Sequence, residues 1–450
     1  MSYQGMHLTL QIPGGQGSEF ANAWRLPAAN KLGFIDADVF VTAAKEAERG
    51  KFDAVFLADR AAIEDDLTTS SPRSALEPVV LLTAMARETS HVGLVATSST
   101  TYNYPYTVAR QFRALDLVSG GRIGWNAVTT SSPLAALNFA EEVPTREYRY
   151  GRAHEFVTAV LALWGSWQDD ALVLNAEKGI FADTSKISPV GVVGQTLATR
   201  GPINLPPSPQ GQPVIVQAGG AGNGLEIAGR YANATYANPF TIDEARQYWK
   251  TVQDAVRSFG RDPREFVIFS GIITSIASTE GEAVKRRARL DELGDLPSRV
   301  GYLGAMLGVT LAPAQLDKPL TADQLALAPP HPHHPRSRRA LELARRGLTV
   351  REIIAYGPIH YHPVALGTPE QVADMLEQWY RSDIGNGFSI IPDIAADGAM
   401  DFVDQVVPLL QQRGLFRKEY TGSTLRDHLG VSYQNGLAPQ VLAEMTGQGR

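Results

Sequence analysis

The chain has 450 residues, 44% of them hydrophobic and 20% charged, with no cysteine and a formal net charge of -6. This suits a globular protein of enzyme size, excludes disulfides, thiol nucleophiles and cysteine-ligated zinc, and leaves any redox chemistry to a borrowed cofactor. No basic stripe marks a nucleic-acid surface, no run of eighteen apolar residues marks a membrane span, and the start MSYQGMHLTLQIP lacks an export signal, so a cytoplasmic location is expected.

Strand-like runs are predicted at residues 6–12, 53–59, 92–98, 122–129, 213–218, 234–237, 266–274 and 387–391. Several are continuously apolar, as strands covered on both faces are. Helix-like segments lie between them, among them VFVTAAKEAERG, EPVVLLTAMARET, YTVARQFRALDLVSGG, RAHEFVTAVLALWG, DEARQYWKTVQDAVRSFG and PEQVADMLEQWYRS. Several of these end at glycine, as helices often do. Eight strands each followed by a helix predict an α/β fold, a (β/α)8 TIM barrel, with a doubly wound open sheet as the alternative. The chain reads as one domain, 1–450, and its length implies long insertions. One, 166–212, contains INLPPSPQGQP and is expected to form a hairpin and covering loop before the fifth strand. A second, 278–366, carries charged helical segments and ALAPPHPHHPRSRRALELARRG, and is expected to be a lid over the barrel mouth. Residues 414–450 form a C-terminal tail.

Barrel enzymes place their chemistry at the C-terminal ends of the strands. Those ends hold Asp59 after VFLA, Thr97 and Ser98 after GLVA, Asn126 and Thr129 on GWNAVTT, and Gln217. None forms an acid/base pair or a triad. Asp59 reads as a general base or as a cap for the next segment. Asn126 is more suggestive, because a buried amide needs partners that a heterocycle with C=O and N–H edges would provide. In PVIVQAGGAGNGLEIAGRYANATYA an apolar run meets Gly219, Gly220, Gly222 and Gly224, and a helix-like segment follows at once. Glycine clusters where the chain turns tightly or something approaches the backbone, so a phosphate at the helix N-terminus and a ligand-free tight connection both remain open. Neither the G-x-G-x-x-G nor the P-loop spacing fits. The histidines of HPHHP and HYH raise a metal site, but prolines break the first cluster and no carboxylate sits at ligand spacing, so no metal is expected. The charge runs VKRRARLDEL and RSRRALELARR read as solvated helix faces.

The order MHL, AWR, ALEPVVLLTAMARET, YTVARQFRALDLVSGGRIGWNAVT, RYGRAHEF, RGPINLPPSPQGQPVIVQAG and GTPEQVADMLEQWY resembles the bacterial-luciferase-like flavin monooxygenases. The end, DFVDQVVPLLQQRGLFRKEYTGSTLRDHLGV, resembles the tail of the nitrilotriacetate, dibenzothiophene-sulfone and pristinamycin-synthase monooxygenase group. The resemblance runs from about residue 6 to residue 431. It implies a (β/α)8 barrel that binds FMN in its reduced form, FMNH2, supplied by a separate NAD(P)H:FMN reductase. It also implies that O2 reacts through a flavin peroxide to oxidise a small organic substrate, with C–N or C–S cleavage. By the same resemblance, Asp59, Thr97 and Asn126 line the isoalloxazine edge, while Tyr150 and the turn Gln217, Gly219, Gly220, Ala221 and Gly222 hold the ribityl phosphate. Two positions depart from the group's pattern: Ala221 stands where many relatives have serine, and Arg146 where a histidine is usual. Arginine can make good the lost hydroxyl, since it binds phosphate bidentately and is always charged. GGQGSEFANAWR also lacks histidines common before the AWR element. No catalytic acid or base is assigned. The rival readings are a deazaflavin-dependent oxidoreductase of the same superfamily, which the tail argues against, and a flavin-binding protein without turnover. Relatives lead one to expect a dimer or tetramer.

Overall fold

The apolar runs form a closed parallel barrel of β1 (His7–Gln11), β2 (Ala54–Leu57), β3 (Gly93–Ser99), β4 (Ile123–Val128), β5 (Val214–Ala218), β6 (Ala234–Ala237), β7 (Val267–Ile276) and β8 (Gly387–Pro392). The computed structural model describes residues 5–12, 22–139, 142–219, 222–328, 334–438 and 441. An open sheet would leave two edges, but β8 pairs back onto β1 with Leu8 opposite Phe388, and the ring is complete. Among the described residues no helix is long and apolar enough to cross a membrane.

Alternation along each strand sorts side chains between two cores. Leu8, Leu10, Val55, Leu94, Trp125 and Ile215 face the surrounding helices. Phe56, Val95, Val216 and Phe269 point into the barrel. The intervening helices start and stop on local signals. Pro105–Ser119 opens on proline and closes at Gly120 with φ 75, and Ile242–Ser258 begins with a capping box between Thr241 and Glu244.

The tail enters the base of the barrel. Its helix Leu425–Leu429 sends Leu425, Leu429 and Val431 among the inward-facing strand residues. Gly93 makes room for it, since a Cβ there would lie 2.5 Å from Leu425 Cδ1. Below, Arg417 Nη2 donates to Asp53 Oδ1 at 2.6 Å, and His7 Nδ1 lies 2.8 Å from the same oxygen. Burial alone would raise the Asp53 pKa, but Arg417 and His7 outweigh it and hold the carboxyl below its ordinary range.

Residues 166–212 form two antiparallel hairpins rather than one, Leu172–Asn175 with Ile180–Ala182 and Val192–Val193 with Ala198–Thr199. The long segment before β8 is helical. Leu296–Leu307, Pro335–Arg345 and Val350–Ala355 pack around a core of their own that includes Val300, Leu303, Leu341 and Ile353. Residues 329–333, with most of HPHHP, lie outside the described residues. The segment returns through a strand that the sequence reading did not predict, Val364–Gly367, paired with Ile273–Ile276. The physical reason is that β7 spans ten residues and β6 four, so the upper edge of β7 would otherwise expose unpaired backbone groups.

The charge run VKRRARLDEL is not a wholly solvated face. Arg287 is fully buried, its Nε donating to the Ala355 carbonyl at 2.8 Å. Arg286 makes a bidentate pair with buried Asp393, at 2.9 Å on each arm. Alternating charge in a sequence hides such pairs, because the partners come from elements far along the chain.

Candidate active site

Above the tail, the inward face of the barrel turns polar. Trp125 points outward among Phe112, Phe156 and Trp164, with its indole N–H on the Ser98 carbonyl at 3.1 Å, so its neighbour Asn126 faces inward. Register sets Thr97 of β3 opposite Asn126 of β4, and Asn126 Nδ2 donates to Thr97 Oγ1 at 2.9 Å. Both side chains are buried, and Asn126 Oδ1 has no hydrogen-bond donor among the described residues. Such an orphaned acceptor costs about 1–3 kcal/mol, which a donor on a bound molecule would offset.

Asp59, just beyond β2, shares a cavity of about 420 Å³ with Thr97 and Asn126. Burial pushes its carboxyl up to about 6, the charge of Glu77 adds to the shift, and a hydrogen bond from the Arg60 backbone opposes it. The group therefore titrates between its neutral and charged forms close to physiological pH.

A second cluster forms where two helices begin. Thr145 caps Arg146–Trp164, accepting from the Tyr148 N–H at 3.2 Å. The exposed Arg146 guanidinium stands 5.5 Å from the centre of the Tyr150 ring. Its Nη2 lies 3.4 Å from where a Cβ on Gly222 would be. Gly222 caps helix Asn223–Tyr231 at φ 56, a conformation that favours glycine, and offers no side chain to the first-turn N–H groups. A fixed cation beside a helix N-terminus suits an oxyanion such as phosphate.

Gly220 and Ala221 lie outside the described residues. Gly219 is described, and Gln217 folds beneath it. Like Ile215, Gln217 points toward the helix layer, its Nε2 donating to the Ala218 carbonyl at 3.0 Å and standing 2.6 Å from where a Cβ on Gly219 would be. It therefore shapes the turn, and Ala218 supplies the cavity wall there. Thus Asp59, Thr97 and Asn126 come together in one place, and Arg146, Tyr150 and Gly222 in another.

Sequence reasoning passed over Phe56 and Tyr236. Their rings stack across the barrel, 5.7 Å apart at 25°, and both line the cavity that holds Asn126. Alternation within ATYA was the available signal, since it turns Tyr236 inward. Nothing local in the sequence places His362 against the Tyr236 hydroxyl, where its Nε2 lies at 3.1 Å. His360 goes elsewhere, its Nε2 2.9 Å from Arg287 Nη2, so the histidines of HYH do not converge.

Residues 18–385 match the luciferase-like monooxygenase family. N-acetyl-S-(2-succino)cysteine monooxygenase of Bacillus subtilis (strain 168) is 41% identical, over 93% of this chain and 95% of its own length. Nitrilotriacetate monooxygenase component A of Aminobacter aminovorans is 37% identical, over 91% of this chain and 93% of its own. The solved structure of a riboflavin lyase with modified FMN and riboflavin aligns with a TM-score of 0.76 at 27% identity, covering 95% of this chain and 96% of that one. Closed barrel, polar strand ends and full-length similarity agree: the chain belongs to the luciferase-like monooxygenases.

Proposed function

We propose that this chain is the oxygenating component of a two-component system. It takes reduced FMN from a separate NAD(P)H:FMN reductase, consumes dioxygen and oxidises a small organic substrate beside sulfur or nitrogen, with C–S or C–N cleavage. The observation that carries the reading is the orphaned Asn126 Oδ1 in the barrel mouth. A flavin ring has an N–H flanked by carbonyls, and that N–H is the donor this oxygen lacks. Asp59 and Thr97 complete that edge, with Asp59 able to hold or release a proton near neutral pH. The ribityl phosphate would be held by Arg146, Tyr150 and the turn at 217–222, including Gly219, Gly220 and Ala221. Reduced flavin, when bound, supplies the two electrons that dioxygen activation requires.

The protein's own part is to bind, orient and exclude water. Phe56 and Tyr236 give the cavity an aromatic floor, and we take the segment 278–366 as the lid that excludes water. One relative is named for a thioether and another for a tertiary amine, which supports the substrate class. The designation "component A" of the second supports a separate reductase, and dependence on a reductase fed by NAD(P)H is the support for a cytoplasmic location.

Anaerobic titration with reduced FMN tests the reading. The parent protein should bind saturably, and Asn126→Leu should weaken binding about tenfold while leaving the melting temperature unchanged or higher, because the orphaned acceptor is gone. Absence of binding by the parent protein ends the proposal.

A further inference from the structure

Tyr236 and His362 form a polar pair that no step above uses. Tyr236 sits at the C-terminal half of β6 and lines two adjoining cavities, the one that holds Asn126 and a second of about 470 Å³ next to Gly219 and Tyr248. Its ring is fixed from below by Phe56, and its hydroxyl meets His362 Nε2 at 3.1 Å. His362 is 8% exposed and comes from the end of the helical segment, two residues before the accessory strand that pairs with β7. The barrel makes room for both side chains. A Cβ on Gly271 of β7 would lie 2.5 Å from the Tyr236 hydroxyl and 2.7 Å from His362 Nδ1, so only glycine admits the pair in this arrangement.

We infer that Tyr236 contacts the ring system of the bound flavin from β6, two strands along the barrel wall from Asn126, with its hydroxyl offered to the ring, and that His362 is the residue that positions it. The inference rests on the flavin reading above. It is chemically economical: a hydroxyl anchored by a second side chain gives one fixed polar contact without a mobile rotor. It also makes the helical segment part of the cofactor site, since His362 reaches Tyr236 only when that segment is docked on β7.

The test is a titration of the full chain with oxidised FMN, followed by quenching of flavin fluorescence and by the shift of the bound flavin's visible absorption. Tyr236→Phe should raise the Kd about three- to tenfold and return the absorption toward that of free FMN. His362→Leu should act in the same direction, and His362→Gln, whose amide can still reach the hydroxyl, should recover much of the loss. Gly271→Ala moves the pair apart without removing either side chain and should reproduce the Tyr236→Phe spectrum, which keeps the test open if Tyr236→Phe folds poorly. Parent protein that binds neither oxidised FMN nor, anaerobically, reduced FMN overturns the flavin reading and this inference together; where only the reduced form binds, the same variants are compared by anaerobic titration. Parent protein that binds, with Tyr236→Phe or Gly271→Ala giving its Kd and its spectrum, overturns this inference alone. Equal losses in His362→Leu and His362→Gln overturn the positioning role.

Discussion

Asp59 illustrates how one residue can be tuned by place alone. Its carboxyl is half-buried at a strand end, and burial, then the charge of Glu77, lift its pKa from 3.8 to about 6. The folded value lies above the unfolded one, so the unfolded chain gives up this proton first as pH rises. The folded protein is therefore favoured most below about pH 4, loses stability between about pH 4 and 6, and stays at the lower level above. Asp59→Asn keeps the size and cannot ionise. At pH 7.5 the variant should be more stable than the parent by about 1 kcal/mol, a figure that discounts the shift for partial exposure, and the gain should fade by pH 4. Thermal melts at the two pH values check this, and an offset that is equal at both would mean that Asp59 does not titrate in this window. The same residue that costs stability at neutral pH is the one poised to exchange a proton in the cavity, which is the usual relation between a functional site and its scaffold.

At the scale of elements, the strand-to-helix turns do the arranging. Arg146 and Gly222 belong to the first turns of two helices that begin side by side, and neither would reach the other if either helix started a turn later. If this pairing holds a phosphate, it should discriminate FMN from riboflavin. Arg146→Ala should lower the ratio of the two affinities about tenfold to a hundredfold, the worth of a charged hydrogen bond, while riboflavin binding itself changes little. An unchanged ratio in paired titrations would remove Arg146 from the site. Much of this scale was legible in the chain. All eight barrel strands lie where strand-like runs placed them, several of these continuously apolar because strands covered on both faces leave that mark, and the glycine-rich turn was visible because Gly222 needs a positive φ. Gln217 was legible only as a strand-end residue. Which way it points depends on register with β4 and β6, and that register turned it under Gly219. The accessory strand Val364–Gly367 was not legible, since only the unequal lengths of β6 and β7 create the edge it fills.

Across the whole molecule, the parts that the sequence could not place are those held by contacts of long range. Tyr236 with His362, Arg287 with His360, and the tail with the barrel base each join residues far apart in the chain, and no local pattern encodes them. The tail shows what such a contact does. Leu425 and Leu429 close the bottom of the barrel with apolar surface, and Arg417 anchors the segment by donating to buried Asp53 and to the His428 carbonyl at 2.9 Å. Arg417→Met would keep most of the side-chain volume and leave Asp53 a buried carboxylate without its main cation, at a cost of about 3–5 kcal/mol at pH 7. The sign of its pH dependence follows from Asp53. The folded pKa in the parent is held below 3.8, so the stability it supplies is present above that value and is lost as pH falls through the folded value. Without Arg417 burial dominates and the carboxyl takes up a proton at higher pH, so the deficit of the variant should shrink as pH falls toward 4.5. Urea unfolding of parent and variant at pH 7 and pH 4.5 measures the difference. A deficit that is the same at both would mean that packing and the His428 carbonyl bond, rather than the charge on Asp53, tie the tail to the barrel.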